Sequence, residues 1–464
     1  MSIKFYNTLT KNKEEFFPIV ESEVKLYTCG PTVYDTAHIG NFRTFLFEDL
    51  LKRYLLLKGY KVTHVMNLTD VDDKTILRCN NSNISIEKLT DKYIKLFFSD
   101  LQTLKIIPAD QYPKATMHVP EMINMIERLV EKKYAYKSDD NSVYFKIDKF
   151  DNYGKLANLD FAEQKRTQRI TTDDYSKENP QDFVLWKAWK KEDGNIFWES
   201  PWGKGRPGWH IECSAMSNKY LGDHFDIHCG GVDNIFPHHE NEIAQSECAN
   251  NQQFVNYWMH SEHLLIDGGK MSKSAGNFYK ISELKDMGFT SEALRYLLLS
   301  GHYRTNINFS LNKKYEAIKV IQRINDFYER LLDISIEYKK TDNFPDEYNL
   351  FENALDDDLN TPEALAVFFE WLRKTNIRID DDAINNKEVV LAINFVEMFN
   401  NIFDLLFIKS EIPSEIMNFV LEREEARKKK DWTKADSIRD KILEMGWIIE
   451  DKPDGYKLKP AIGE

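Results

Sequence analysis

Apolar residues recur at two alternating periods along the first part of the chain. A short apolar run at residues 25–28 predicts a buried strand, and from Phe42 apolar side chains return every three or four residues, which predicts a helix. A second strand is expected at residues 60–69, followed by a helix from an N-cap at Ser85 to about Leu104. This alternation indicates a parallel sheet, on which ligands bind at the carboxyl ends of the strands.

The alternation stops near residue 113 and resumes near residue 199. We interpret residues 113–198 as an insertion between two halves of a nucleotide-binding fold. Its predicted elements are a helix at 119–133, hairpin strands around 143–147 and a polar stretch at 164–180. The second half is predicted to contain helices at 211–221 and 238–250 and strands at 225–229 and 257–266.

Beyond Ser310 the pattern is helical. Apolar residues at helical spacing mark one face from Tyr315 to Leu331, and Thr361, followed by a proline, is expected to be a helix N-cap. The C-terminal part is predicted to form helices at 414–430 and 433–445 and a hairpin with strands 447–452 and 456–459.

Length, charge and cysteine content narrow the class of protein. The 464 residues are enough for two or more domains, and the net charge of −13 argues against general affinity for nucleic acids. Residues 1–20 lack the layout of a signal peptide, and the apolar window 389–408 is interrupted by polar residues at helical spacing, so it predicts an amphipathic helix. The five widely spaced cysteines favour metal binding or packing over disulfides, and a cytoplasmic protein is expected.

A first candidate site lies where the first strand turns into the first helix. His38, Gly40 and Asn41 occupy this turn, where unpaired N–H groups and the helix dipole attract a phosphate. Gly40 lacks the Cβ that would hold a ligand away from the backbone. Taken alone, these few residues favour a capped helix with an incidental histidine.

A second candidate site has the chemistry of a metal centre. His238 and Glu242 are four residues apart and share a helix face, Cys29 ends the first strand, and Cys213 belongs to a predicted helix. Two thiolates, an imidazole and a carboxylate suit zinc. Spacing alone does not select this set, because packing or a surface pair explains each member. Four further residues fit as well: His228, Cys229, His239 and Cys248.

Two loops after predicted strands add groups that bind nucleotides. Lys270 and Lys273, among glycines and hydroxyls, form a cationic loop that can close on a polyphosphate, although an exposed turn has the same composition. Gly231 and Asp233 follow another strand, where a glycine turn and a carboxylate can hold ribose hydroxyls. Alone, the latter pattern is an ordinary turn.

These motifs together resemble a known family. The order Tyr34, His38, Gly40 and the pentad 270–274 resemble the two signatures of the class I aminoacyl-tRNA synthetases, with Asn41 where that family usually has a second histidine. Asn41 can donate a hydrogen bond but cannot carry a proton. The resemblance is to the cysteine-specific branch of the family, and the segments that carry it are residues 27–34, 67–74, 201–213, 236–245, 270–274 and 356–362.

The resemblance implies a substrate and a set of site residues. It implies that L-cysteine is activated with ATP and Mg²⁺ and then transferred to tRNA(Cys). One zinc ion per chain would be held by Cys29, Cys213, His238 and Glu242. The amino-acid pocket would be bordered by Cys29, Thr69 and Trp209. ATP would be bound by Gly30, Thr32, His38, Gly40, Gly231, Asp233 and Lys273, and catalysis would use His38, Asn41, Lys270 and Lys273.

The same resemblance implies the domain order. We expect an α/β fold: a Rossmann-type parallel-sheet catalytic domain with an insertion, followed by an α-helical bundle and a small C-terminal α+β domain. The expected boundaries are 1–112 and 199–266 for the two halves of the catalytic domain, 113–198 for the insertion, 267–312 for a stem-contact region with the lysine loop, 313–410 for a tRNA-binding helical bundle and 411–464 for an anticodon-recognition domain. A monomer without membrane contact is expected.

Basic residues near the C-terminus provide the expected contact with tRNA. They are Arg427, Lys428, Lys429, Lys430, Lys434, Arg439 and Lys441, and acidic neighbours make a solvated helix face an equally good explanation for any one of them. Three other functions remain open. They are a ligase that transfers activated cysteine to a small amine, a nucleotidylyltransferase and a non-catalytic zinc protein that binds RNA. The two lysines and His38 argue against the last.

Overall fold

The computed structural model describes residues 2–159, 181–271, 276–336, 338–406, 414–445, 447–452 and 455–460. The chain divides into two units. The first unit consists of Met1–Lys280, Leu298–Phe309 and Pro345–Ile377, and the second of Ile281–Leu297, Ser310–Phe344 and Arg378–Glu464. The polar stretch predicted at 164–180 lies outside the described residues.

The described strands are short, and most belong to the first unit. They are β1 (Lys4–Asn7), β2 (Asn12–Glu15), β3 (Glu23–Thr28), β4 (Lys61–Met66), β5 (Ala135–Lys137), β6 (Val143–Phe145), β7 (Phe183–Ala188), β8 (Gly205–Pro207), β9 (Phe225–Gly231), β10 (Val255–Ser261), β11 (Leu264–Ile266), β12 (Gly269–Lys270), β13 (Ile307–Phe309), β14 (Trp447–Lys452) and β15 (Gly455–Pro460).

The described α-helices range from 6 to 21 residues in length. They are α1 (Ile39–Leu57), α2 (Asp73–Ser82), α3 (Ile86–Thr103), α4 (Val119–Glu131), α5 (Trp209–Leu221), α6 (Glu240–Asn250), α7 (Ile281–Asp286), α8 (Ser291–Leu299), α9 (Lys314–Ile334), α10 (Glu347–Asp356), α11 (Thr361–Asp380), α12 (Asn386–Phe403), α13 (Ser414–Lys428) and α14 (Trp432–Glu444).

A four-stranded parallel sheet in the order β10-β9-β3-β4 forms the centre of the first unit. In β3, Leu26 faces Ile227 of β9 on one side and His64 of β4 on the other. The strands are buried on both faces, as expected for a parallel sheet covered by helices. The predicted parallel sheet is therefore confirmed.

One predicted element of the catalytic fold was wrong, and one helix was not predicted. The single strand expected at 257–266 is two strands, because β11 leaves the central sheet and pairs with β12 and β13. The helix α2 was not predicted, since only Thr75, Ile76 and Cys79 of its residues are buried and its apolar pattern is weak. Strands β5, β6 and β7, from within residues 113–198, form an antiparallel sheet that β8, from outside these bounds, completes in the order β5-β6-β7-β8.

Buried polar contacts fix helix α1 along its length. The Arg43 guanidinium donates to the carbonyl oxygens of Leu298, Gly301 and His302, and the Tyr54 hydroxyl donates to Asp356 at 2.6 Å. Both side chains are almost fully buried, so each contact offsets the cost of removing a polar group from water. The position of the N-terminus of α1 therefore depends on residues far along the chain.

The C-terminal part of the second unit has a core of its own. Buried side chains from α13, α14, β14 and β15 form one cluster: Ile416, Val420, Ile438, Ile442, Trp447, Ile449 and Leu458. The predicted helices and hairpin of this part are confirmed, while the turn at residues 453–454 lies outside the described residues.

The helix at 361 is capped by the Asn360 side chain, which accepts from the N–H of Glu363, and not by Thr361 as predicted. Among the described helices, none combines the length and apolar character that a membrane span requires.

Candidate metal centre and nucleotide site

His38 and Asn41 cap the N-terminus of α1 reciprocally. The backbone N–H of Asn41 donates to His38 Nδ1 at 3.3 Å, and the backbone N–H of His38 donates to Asn41 Oδ1 at 3.1 Å. This is a capping box in which the side chains of residues 38 and 41 satisfy two donors at the helix start. Because Nδ1 accepts a hydrogen bond, the neutral ring carries its proton on Nε2.

Two glycines allow close packing around this helix start. A Cβ on Gly40 would lie 2.9 Å from the His38 ring, so a side chain there would displace the histidine itself. A Cβ on Gly30 would lie 1.8 Å from the Asn67 carbonyl oxygen, where the loop after β3 passes the end of β4. Gly30 is therefore needed for the packing of two loops, and Gly40 for the orientation of His38.

A cavity of about 810 Å³ opens beside the helix start. Its lining includes Thr32, His38 and Asn41 from the first loop and helix, and Trp209 and Glu212 from α5. It lies at the carboxyl ends of β3 and β4, where ligands bind in open parallel sheets. The volume is in the range of small-molecule sites.

Four of the sequence-predicted residues meet in a buried cluster. Ligand atoms of Cys29, Cys213, His238 and Glu242 all lie within 4.8 Å of one another. The i, i+4 spacing brings His238 Nε2 and Glu242 Oε1 to 3.0 Å, while Cys29 directly follows β3 and Cys213 lies in α5. The spacing of the sequence did not choose this set, but the fold brings it together.

The electrostatics of the cluster favour a bound cation. Burial raises the pKa of Cys29, and the contact with Cys29, followed by burial, raises the pKa of Cys213. Burial alone would lower the pKa of His238, but Glu242 and Cys213 raise it to about 10. Burial would raise the pKa of Glu242, yet His228 and His238 lower it to about 2. The site therefore stabilises positive charge at His238 beside the Glu242 carboxylate, and without a metal ion its two thiols stay neutral.

The cluster also passes a geometric test for a metal ion. Glu242 Oε1 is buried and lies 3.0 Å from His238 Nε2 without the alignment of a hydrogen bond, so within the described residues its lone pair has no donor. The sulfur, nitrogen and oxygen donors are those that zinc prefers. Cys29 and Glu242 also belong to a second group with His228 and His239.

Of the residues expected to border the amino-acid pocket, Cys29 belongs to this cluster and Trp209 contacts it. The Trp209 ring stacks on His238, with ring centres 4.3 Å apart and planes 20° apart, and it is 44% exposed. Thr69 is buried, and its hydroxyl accepts a hydrogen bond from the Asn67 side chain at 3.1 Å. One flat ring is therefore available to a ligand directly beside the candidate metal ligand.

The remaining nucleotide-binding candidates are only partly described. Gly231 ends β9, and a Cβ there would lie 2.4 Å from Asp233 Oδ1, so glycine lets that carboxylate fold back over the strand end. Lys270 is the last residue of β12, but its side chain is outside the described part of the chain, and so is the whole of Lys273. Their approach to the cavity stays a prediction.

Sequence reasoning missed two residues close to the site. Asn67 accepts from the backbone N–H of Gly30 at 3.0 Å and also donates to Thr69, so it joins the two loops, and its place after an apolar strand was an available signal. Glu212 lines the cavity and is completely buried, which raises its pKa well above the ordinary value. No pattern in the sequence distinguishes Glu212 from a surface acid.

The basic residues near the C-terminus divide into two groups. Arg427 pairs with Asp451, Lys434 with Glu422 at 3.3 Å and Arg439 with Asp436 at 3.5 Å. The other predicted cations form no ion pair with the described residues; they are Lys428, Lys429, Lys430 and Lys441. A solvated helix face with acidic neighbours therefore explains Arg427, Lys434 and Arg439 better than it explains the other four cations.

Family models and full-length relatives agree on the kind of protein that this chain resembles. The family model of the tRNA synthetases class I (C) catalytic domain matches residues 15–322, a DALR domain model matches 350–407, and a cysteinyl-tRNA ligase anticodon binding domain model matches 409–456. The cysteine–tRNA ligase of Chlamydia pneumoniae is 48% identical, with 98% of each chain covered. That of Brachyspira hyodysenteriae is 49% identical over 98% of this chain and 99% of its own.

The solved structures agree at the level of the fold. Mycobacterium tuberculosis methionyl-tRNA synthetase bound by methionyl-adenylate aligns with a TM-score of 0.61 at 13% identity, covering 82% of this chain and 92% of that one. Because one family model spans most of the chain and full-length relatives are nearly half identical to it, the chain belongs to the cysteine–tRNA ligase family of the class I aminoacyl-tRNA synthetases.

Proposed function

We propose that the chain joins L-cysteine to tRNA(Cys) in two steps. The cysteine carboxylate attacks the α-phosphate of ATP, forming cysteinyl-adenylate and releasing pyrophosphate. The 3′-terminal ribose hydroxyl of the tRNA then attacks the adenylate carbonyl, forming the ester and releasing AMP. No protein nucleophile is needed, so the residues of the chain act by positioning and by stabilising charge.

The start of α1 is the proposed phosphate site. With His38 Nδ1 accepting from the Asn41 backbone, the proton on Nε2 is available to a phosphate oxygen, and the Asn41 side-chain amide is a second donor. Lys270 and Lys273 are proposed to neutralise the departing pyrophosphate together with Mg²⁺. Gly30, Thr32, Gly40, Gly231 and Asp233 complete the proposed ATP site.

The buried cluster is the proposed selector of the substrate thiol. Cys29, Cys213, His238 and Glu242 would hold one zinc ion, which supplies a Lewis acid that binds and ionises a thiol. Trp209 and Thr69 would border the bound amino acid. A purely apolar pocket separates near-isosteres such as cysteine and serine by only about 10- to 200-fold, so the metal makes an editing site unnecessary.

The C-terminal part is proposed to read the tRNA. The matches to the DALR and anticodon binding domain models support the proposed boundaries of a helical bundle at 313–410 and an anticodon-recognition domain at 411–464. The other proposed boundaries are 1–112, 113–198, 199–266 and 267–312. We propose that the protein acts in the cytoplasm as a monomer.

One observation carries the proposal. A Cys/Cys/His/Glu cluster is buried beside a cavity that the phosphate-binding helix start also lines. A nucleotidylyltransferase would need the helix start but not the thiol-selective cluster. A ligase for a small amine would need both but not the anticodon binding domain matched at residues 409–456.

The test is amino-acid-dependent ATP–pyrophosphate exchange on protein whose metal content is measured. We expect exchange with cysteine, a preference over serine well above about 200-fold, and stoichiometric zinc. Removal of zinc with a chelator should abolish the preference, and its return should restore it. Equal exchange with both amino acids, or full selectivity without metal, would contradict the proposal.

A further inference from the structure

A carboxyl group in the wall of the cavity has no role in the reaction proposed above. Glu212 lines the cavity, its side chain is completely buried, and neither of its oxygens has a hydrogen-bond partner among the described residues. A buried polar group without a partner is costly, and a buried charge is more so. The missing partner of Glu212 therefore needs an explanation, and a bound ligand would supply it.

The charges around Glu212 fit a cationic ligand. The ionisable groups that act on it most strongly are Asp70, His238 and Asp72, and two of these three are acids. Both aspartates already accept hydrogen bonds from threonines at 2.6 to 2.9 Å. His238 is one of the proposed metal ligands. Glu212 is therefore the carboxyl of this group that is left for a positively charged group of a ligand.

Helix α5 places Glu212 between the features proposed to hold the amino acid. Glu212 directly precedes Cys213, a proposed zinc ligand, and follows Trp209 by three residues, so that Glu212 and Trp209 share a face of the helix. Both residues line the cavity. In cysteine the amine is bonded to the carbon next to the one that bears the sulfur. When the sulfur is bound at the cluster, the ammonium therefore has to lie within a few ångströms of it.

The Thr69 hydroxyl leaves most of this carboxyl free. Its oxygen accepts from the Asn67 side chain at 3.1 Å, so its own proton can turn toward Glu212 and stabilise the charged form of that carboxyl. One hydroxyl offers one proton, whereas a carboxylate has room for about four hydrogen bonds. An ammonium group brings three donors and a positive charge, and hydrogen bonds between charged groups are the stronger kind.

We propose that Glu212 binds the α-ammonium group of the amino-acid substrate, as its counter-charge beside the metal-bound thiol. The inference rests on the proposed function and deepens it: the metal cluster selects the sulfur, and Glu212 selects an amino acid among thiols. A thiol of the same shape without an amine leaves Glu212 without its partner and therefore binds weakly.

The test compares two ligands on the full-length, zinc-loaded protein. L-cysteine and 3-mercaptopropionate share the thiol and the carboxylate, but the second has no amine, and calorimetric titration without ATP gives both dissociation constants. The native protein should bind cysteine at least about tenfold more tightly. Glu212→Gln, which keeps the shape but not the charge, should weaken cysteine binding about 10- to 100-fold and leave the analogue within about threefold. Its zinc content should equal that of the native protein.

Glu48→Gln provides the matched control. Glu48 is also buried without a hydrogen-bond partner among the described residues, but it is not part of the cavity lining. This variant should keep the native ratio of the two dissociation constants. A ratio that falls equally in Glu48→Gln would overturn the assignment, because it would show that any buried carboxyl has the same effect.

Three further results would overturn the inference. Equal binding of the two ligands by the native protein is the first, and it needs no variant to fold. An equal loss for both ligands in Glu212→Gln is the second, since a purely structural role has that effect. Unchanged cysteine binding in Glu212→Gln is the third, since a permanently neutral carboxyl has that effect. Native protein that binds neither ligand, or binds serine as well as cysteine, would instead refute the proposed function itself.

Discussion

Asn41 stands where the family signature usually has a second histidine, and the structure gives its side chain a defined task. Its Oδ1 accepts the backbone N–H of His38, while its own N–H donates to the His38 ring. The residue therefore orients His38 in addition to its proposed contact with a phosphate. An amide can do both, because it combines an acceptor and a donor on one short side chain.

This double task predicts a separation of stability from activity. Asn41→Ala should lose about 1 kcal/mol of unfolding free energy, because one cap is removed. Asn41→Asp should keep that stability, because a carboxylate accepts the same N–H, but it should raise the KM for ATP by placing negative charge near the phosphates. Denaturant unfolding and ATP–pyrophosphate exchange measure the two effects. Unchanged ATP binding in Asn41→Asp would exclude a phosphate contact at this position.

A second prediction at this scale concerns the thiol ligands. Cys213→Ala should lose the proposed zinc ion and with it the preference for cysteine over serine, which should fall to about 10- to 200-fold or less. Cys248→Ala is the matched control, since Cys248 is equally buried but belongs to neither metal-ligand group among the described residues. Zinc content and exchange with both amino acids decide the matter. Wild-type selectivity in Cys213→Ala would show that Cys213 is not a ligand.

At the residue scale the sequence shows which residue types can bind a metal better than it shows which of those residues lie close together. Ligand types and the i, i+4 relation of His238 and Glu242 follow from the sequence, but the choice among eight candidate residues depends on how β3, β9, α5 and α6 meet. The structure places His228 and His239 in a second group with two of the predicted ligands. Cys229 and Cys248 enter neither group in the part of the chain that the structure describes.

At the scale of elements, long periodic segments were predicted well and short ones were not. The parallel sheet and the helices starting at 39, 86 and 119 follow from strong apolar periodicity. Helix α2 was missed because its stability comes from an end cap: Asp72 accepts from both the N–H and the hydroxyl of Thr75 at 2.6 Å. The division of the expected strand 257–266 depends on pairing with β13, some 40 residues later, which no local pattern reveals.

The start of α2 is tied to β7 and β8 by ion pairs, and this predicts a pH dependence. Asp73, at the first position of α2, contacts Lys187 of β7 at 2.7 Å and also Arg206 of β8. Burial alone would raise the pKa of Asp73, but Lys187 and Arg206 lower it below its ordinary value. A carboxyl with a lowered pKa stabilises the fold above its unfolded pKa, near pH 4, and loses that contribution as the pH falls through the folded value.

Asp73→Asn should therefore be less stable than wild type at neutral pH by about 0.5–1 kcal/mol, a modest value because the carboxyl is half-exposed. The difference should shrink toward zero below about pH 4. Urea unfolding across this pH range measures it. Asp139→Asn, at an exposed turn of the insertion, should show no such pH-dependent difference. A constant difference at all pH values would mean that Asp73 acts through its shape and not its charge.

At the scale of the whole molecule, the sequence predicts the order of the elements but not their grouping. Residues Pro345–Ile377 read as part of the helical region, yet they belong to the same unit as the parallel sheet. The reason is a set of long-range polar contacts, such as that of Tyr54 with Asp356, which have no signature in local periodicity. Contacts between side chains that are far apart in the sequence become visible only in the three-dimensional structure.

The separate core of the C-terminal part predicts a partial loss of function on truncation. A chain ending at Pro413 lacks α13, α14 and the last hairpin, whose buried apolar residues pack among themselves. It should keep cysteine-dependent pyrophosphate exchange within a few-fold and charge tRNA poorly. The two assays on one preparation give the comparison, with the full-length chain as the control. Undiminished charging would show that this part does not contribute to tRNA recognition.

The contact between the chain's first strand and Asp358 has a consequence for biosynthesis. The backbone N–H of Tyr6 in β1 donates to Asp358 Oδ1 at 2.8 Å, across 352 residues of sequence. At ribosomal rates of 5–20 residues per second, roughly 20–70 s separate the emergence of the two partners. Throughout that interval the nascent N-terminal strand lacks its hydrogen bond to Asp358. We therefore expect the unfinished polypeptide to depend on chaperones most during translation.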